Sequence, residues 1–185
     1  MAASAVILAG GRGRRMGGQD KGTVIFRGKP LIEHVIERLQ PQTDQIMISA
    51  NRNVEFYRQY GYPVLVDNLG EYWGPLAGIA TAMKFCNSEL LLTAPCDTPF
   101  LPTDLLTRLS EALGETGDLA MAEDNLRIHP VIALLRCRLH DRLITDLGQG
   151  ERKVMNWMQS QQWSTASFND QSGLFANINS PDDLD

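Results

Sequence analysis

Between Leu8 and Gly22 the chain reads LAGGRGRRMGGQDKG, with Gly10, Gly11, Gly13, Gly17 and Gly18 interleaved among Arg12, Arg14, Arg15 and Lys21. The apolar run Ala5 to Leu8 before it reads as a buried strand, so the glycines open a strand-to-loop turn whose backbone approaches a ligand closely. Only Asp20 opposes the four cations. The chemistry such a loop supports is phosphate binding, by amides and cations together. Lys21 is a compact charge on a flexible stem, suited to a β or γ phosphate, and Arg15 is a fork that spans two oxygens. Two familiar glycine loops do not fit. The dinucleotide pattern GxGxxG requires glycine where Met16 stands, and the Walker pattern requires Lys and then Ser or Thr directly after its last glycine.

Two acids stand at the ends of later apolar runs: ELLLTAPCD ends at Asp97 and PVLVD at Asp67. Asp97, followed by Thr98 and Pro99, suits a hard divalent cation, because Mg2+ takes one or two carboxylates together with phosphate oxygens and water. Its alternative role is to cap the turn into the next helix. Asp67 has two open roles, binding nucleoside hydroxyls or base amines, or capping a loop. His34, His129 and His140 share no spacing that brings two to one metal, and Cys96 beside Asp97, with no His or Lys partner signalled, reads as small packing.

Helical and strand patterns alternate along the chain, which predicts an α/β fold of three layers: a mostly parallel sheet with helices on both faces. After the first strand, PLIEHVIERL opens at Pro30 and places Leu31, Ile32, Val35, Ile36 and Leu39 on one helical face. QIMISA (45–50) and PVLVD (63–67) read as strands around a short helix VEFYRQY; PLAGIATAMKF is a helix opened by Pro75, and TDLLTRLSEAL is another. LAMAE and VIALLR are strands, and 139–147 and 153–159 are helical. In open parallel sheets ligands sit beyond the carboxyl ends of the strands, so the first loop, Asp67 and Asp97 are expected to converge there. Ser180, Pro181 and Asp183 give a helix start. Since the chain stops at Asp185, the sequence is expected to be truncated or naturally short at that point.

The first loop resembles the LAGGxxxRMGGxDK loop of the molybdenum cofactor guanylyltransferases. The likeness continues in order through GKP (28–30), GPLAG (74–78), PCDTP (95–99), HP (129–130), GER (150–152) and NINSPDDL (177–184). The resemblance implies a Rossmann-like nucleotidyltransferase fold in one domain, residues 1–185, with a nucleotide-binding part over about 1–100 and an acceptor-binding part over about 101–185. It implies transfer of GMP from GTP to the terminal phosphate of molybdopterin, with release of pyrophosphate and Mg2+ held by Asp97. Asp97, Lys21 and Arg15 are then the catalytic set. Leu8, Ala9, Gly10, Gly11, Arg12, Gly17, Gly18, Lys21, Ser49, Asp67 and Asp97 bind the nucleotide, and Arg152, Asn177 and Asn179 serve the acceptor. Ser49 stands where the family often has Asn, and it offers one donor where Asn has two and a carbonyl. Within an enzyme reading the alternatives are a CTP-dependent sibling acting on the same pterin or a sugar-phosphate nucleotidylyltransferase. A nucleotide-sensing regulatory module is the alternative outside catalysis, and it would not require Lys21 and Asp97 together.

Bulk properties set the remaining bounds. The 185 residues suffice for one domain with its own core, and a net charge of −5 with 21% charged residues makes the cationic loop a local feature rather than part of a nucleic-acid platform. Cys86, Cys96 and Cys137 form no CxxC pair, which fits a reducing compartment. The apolar start is too short for a signal peptide and no run approaches a membrane span. The expected setting is the cytoplasm, with GTP, molybdopterin and other cofactor-assembly proteins as partners, and neither nucleic acid nor membrane.

Overall fold

The computed structural model describes residues 2–9, 19–67, 73–170 and 173–178. Strict alternation of apolar side chains makes the central strands two-faced. In β1 (Ser4–Leu8), Ala5 and Ile7 join one core and Val6 the other. A hairpin of β2 (Ile25–Phe26) and β3 (Lys29–Pro30) leads into α1 (Leu31–Leu39). Next come β4 (Gln45–Ser49), α2 (Val54–Arg58), β5 (Val64–Leu65), α3 (Pro75–Phe85) and β6 (Leu90–Pro95). They are followed by α4 (Leu105–Leu113), β7 (Leu119–Glu123), β8 (Ile128–Arg136), α5 (His140–Gly148), α6 (Val154–Gln159) and β9 (Trp163–Ser167).

Seven strands form one sheet in the order β5-β4-β1-β6-β8-β7-β9, parallel except for β8. One face is covered by α1, through Ile32, Val35, Ile36 and Leu39, and by α4, through Leu105, Leu109 and Leu113. The other is covered by α3, α5 and α6, through Leu76, Ile79, Leu143 and Trp157. The expected three layers are therefore present. Because the chain runs β1, β4, β5 in one direction and then crosses to β6 on the other side of β1, the topological switch falls between β1 and β6, where a parallel sheet opens its ligand crevice.

Three elements differ from the sequence pattern. β8 starts at Ile128 rather than Val131, because its pairing with β7 shifts between Met121 and Ala122, and Pro130 falls within that irregularity. The buried Thr93 hydroxyl lies 2.9 Å from the Val131 carbonyl and 3.3 Å from that of Ala133, so the bulge keeps its acceptors satisfied. β9 and the β2–β3 hairpin have no counterpart in the pattern. Among the described residues no helix is long and apolar enough to cross a membrane.

The first turn of α3 lies on the end of β4. A Cβ added at Gly78 would meet Ser49 Oγ at 2.5 Å and Leu8 Cδ2 at 3.1 Å, so only glycine lets helix and strand approach this closely. Gly78→Ala should cost about 1–3 kcal/mol through overpacking. Urea denaturation with an unchanged slope and a lower midpoint checks this.

Candidate active site

At the switch point the backbones of β1 and β6 are joined beyond their last paired residues, since Cys96 N donates to Leu8 O at 3.2 Å, and Ala9 N donates to Ser49 O at 2.8 Å. Leu8 and Ala9 are thereby fixed beside the end of β6, while Gly10, Gly11, Arg12, Arg15, Gly17 and Gly18 lie outside the described residues. The chain is described again from Gln19, and Lys21 opens a 3-10 turn over Lys21–Thr23. Its Nζ lies 2.6 Å from Asp97 Oδ2, with the two side chains 22% and 10% exposed. The two residues read from the sequence as the centre of the chemistry thus form one ion pair across 76 positions.

Asp97 sits in a fixed turn. Ile178 N donates to the Asp97 carbonyl at 3.0 Å, and the fully buried Thr98 donates from Oγ1 to Asn177 Oδ1 at 2.9 Å. The segment carrying Asn177 is therefore laid across the Asp97 turn, and Ile178 anchors it against Val24, Phe26 and Leu31. Asn179 lies outside the described residues, as does the helix start from Ser180 to Asp183. Cys96 is buried, and burial followed by the charges of Asp97 and Asp20 pushes its thiol far up, so it offers no thiolate.

The remaining residues spread along the same edge. Asp67 follows β5 at the outer end of the sheet; its Oδ2 accepts from Asn51 Nδ2 at 2.7 Å and its amide donates to Asn51 Oδ1 at 3.0 Å. Three strand spacings of about 4.8 Å separate β5 from β6, so Asp67 and Asp97 share the crevice at opposite ends rather than touching. Ser49 is buried with its hydroxyl under Gly78. Arg152 stacks its guanidinium 4.2 Å from the ring centroid of Trp73 and donates to the carbonyls of Leu147 and Glu151 at 2.7 and 2.6 Å, which ties it to the end of α5 and to the GPLAG turn.

Other polar groups at this edge are not read as site residues from the sequence, although His129 lies in the HP motif (129–130). His129 Nε2 lies 2.9 Å from Asp124 Oδ2, and its ring meets Phe175 at 4.7 Å. Burial alone would raise the Asp124 carboxyl, but the Arg127 amide, His129 and the Leu126 amide hold it below its ordinary range. Beside Lys21 in the chain, the buried Asp20 accepts hydrogen bonds from the buried Tyr57 and from the exposed Asn53. Among the described residues no group of three or more His, Cys, Asp or Glu could hold a metal ion.

A lysine and a strand-end carboxylate in contact at the switch point mark the ligand crevice of a doubly wound sheet, and the likeness to known proteins makes it that of a nucleotidyltransferase. The family described as "MobA-like NTP transferase domain" matches residues 5–164. The chain is 48% identical over 182 residues to the molybdenum cofactor guanylyltransferase of Shewanella amazonensis, covering 98% of this chain and 93% of that one. It is 46% identical to the one of Haemophilus influenzae, covering 98% and 95%. The crystal structure of molybdopterin-guanine dinucleotide biosynthesis protein A from Archaeoglobus fulgidus superposes with a TM-score of 0.81 at 26% identity, covering 98% of this chain and 94% of that one. By this likeness, which spans nearly the whole length, the chain belongs to the MobA-like NTP transferase family.

The tie between Thr98 and Asn177 is testable alone. Thr98→Val keeps the shape and removes the donor, leaving Asn177 Oδ1 without it, so stability should fall by about 1–3 kcal/mol. A denaturation midpoint equal to the parent's would show that this hydrogen bond does not hold the segment.

Proposed function

We propose that this protein transfers the GMP unit of GTP to the terminal phosphate of molybdopterin, forming the guanine dinucleotide and releasing pyrophosphate. The observation that carries the reading is the Lys21 to Asp97 contact of 2.6 Å at the switch point, in a chain whose relatives bear the name of that activity. A phosphate oxygen of the acceptor attacks the α phosphorus, a new P–O bond forms, and the bond to the α–β bridging oxygen breaks, so its electron pair leaves with pyrophosphate. The attacking phosphate is already an anion at neutral pH, so a strong general base is unnecessary, and the difficulty is to hold two polyanions in line.

Lys21, with Arg15 from the same loop, offsets the charge that develops on the departing pyrophosphate, and the amides of Leu8 to Gly11, Arg12, Gly17 and Gly18 complete the cradle. Asp67 and Ser49 serve the nucleoside at the outer side of the crevice. Arg152, Asn177 and Asn179 serve the acceptor, a role supported for Asn177 by its place on the Asp97 turn. Asp97 fits Mg2+, being a hard carboxylate at the point where phosphate oxygens would complete the coordination, and the ion when bound neutralises phosphate charge. Nucleotide binding falls to the first hundred residues or so and acceptor binding to the rest, within one domain. A cytoplasmic setting, with other cofactor-assembly proteins supplying and receiving the pterin, accords with three free cysteines.

Asp97→Asn keeps the size and removes the charge, so turnover should fall by at least about 10²-fold while the fold survives. Near-parental turnover at saturating Mg2+ would remove Asp97 from the metal role. Lys21→Ala should lower kcat/KM by the equivalent of about 2–4 kcal/mol, more than a surface ion pair accounts for. Steady-state kinetics equal to the parent's would make Lys21 a structural partner of Asp97 only.

A further inference from the structure

Lys21 reaches Asp97 from a turn that is itself clamped. Asp20 caps the turn: its Oδ1 accepts from Gly22 N at 3.2 Å, and its carbonyl accepts from Thr23 N at 3.1 Å and Thr23 Oγ1 at 2.8 Å. A neutral Ser or Asn would serve as such a cap. Here the cap is a carboxylate with 5% exposure, and it takes two more donors from far along the chain: Tyr57 OH on Oδ1 at 2.6 Å and Asn53 Nδ2 on Oδ2 at 3.0 Å.

Burying a charged carboxylate beside Tyr57 and Cys96 is costly, and donors aimed at both oxygens offset that cost. Tyr57 is fully buried; burial first, then Cys96 and the bond to Asp20, push its phenol far above the ordinary range, so it remains a donor. Asn53 holds φ 49 and ψ 34, a left-handed conformation that Asn tolerates, immediately before α2. The fit leaves no slack. A Cβ at Gly22 would come within 3.1 Å of Tyr57 Cε1 and Cζ and closer still to the phenol oxygen.

We propose that Asp20, clamped by Tyr57 and Asn53, is a positioning residue for Lys21: it fixes the turn so that the ammonium meets Asp97 and the phosphates that leave. The inference rests on the reading of Lys21 under "Proposed function". It gives α2 a role that packing alone does not, since the charge at Asp20 is more than a turn cap requires.

A double-mutant cycle separates positioning from folding. Tyr57→Phe removes one donor without emptying the core, and Asn53→Gly removes the other at an exposed position whose left-handed backbone glycine also adopts. Each should lower kcat about tenfold, the order of a lost hydrogen bond to a charged group, with KM for GTP moving less than about twofold. In a Lys21→Ala background each should change kcat by less than about twofold, because the residue through which they act is gone. Equal losses in both backgrounds would overturn the inference and make the clamp purely structural. So would parental kcat in both single variants while Lys21→Ala alone is strongly impaired. If Lys21→Ala itself loses nothing, the reading of Lys21 fails and the inference falls with it.

Discussion

The contact between Lys21 and Asp97 is the constraint on which the rest of the site depends. It closes a loop that leaves the sheet at the end of β1 onto the turn that leaves it at the end of β6, two points adjacent in space and 76 residues apart at the pair itself. A largely buried pair of this kind is costly to break from one side, on the order of 3–5 kcal/mol, because the surviving charge stays behind without its partner. Three sets of contacts hold the ends of that pair. The Cys96 to Leu8 bond sets the spacing of the two strand ends, the Asp20 cluster sets the turn under the lysine, and Ile178 and Thr98 pin the turn under the aspartate.

The same arrangement explains how an acidic chain handles anionic substrates. The net charge is −5, and Asp20, Asp67, Asp97 and Asp124 all stand at the carboxyl edge of the sheet. Asp20 is engaged by Tyr57 and Asn53, Asp67 by Asn51, and Asp124 by backbone amides and the ring of His129. Asp97 is paired with Lys21 at the switch point of the sheet.

Much of this architecture was legible in the sequence because it is written in periodicity. Ile32, Val35, Ile36 and Leu39 recur at helical spacing, and Val6 alternates with Ala5 and Ile7, so α1, β1 and the layers they build could be read directly. Asp97 and Lys21 were legible for another reason, as charged residues placed at the ends of apolar or glycine-rich runs. The illegible parts depend on partners far along the chain or on very short pairing. The β2–β3 hairpin has two residues per strand, and β9, reading WSTAS, buries only Ala166. Asp20 reads as a counterion among four cations, and nothing nearby reveals donors 33 and 37 residues away. Arg152 was legible as a cation, but its seat on Trp73 was not, since stacking leaves no spacing rule.

The measurement that bears most directly on the account is the fate of the α phosphorus. With Mg2+, molybdopterin and each of the four nucleoside triphosphates labelled at that atom, the account predicts that label from GTP passes into a pterin dinucleotide. Pyrophosphate should appear in equal amount, and the other three nucleotides should give far less product. Label that stays in GTP, or that moves preferentially from CTP, would contradict it.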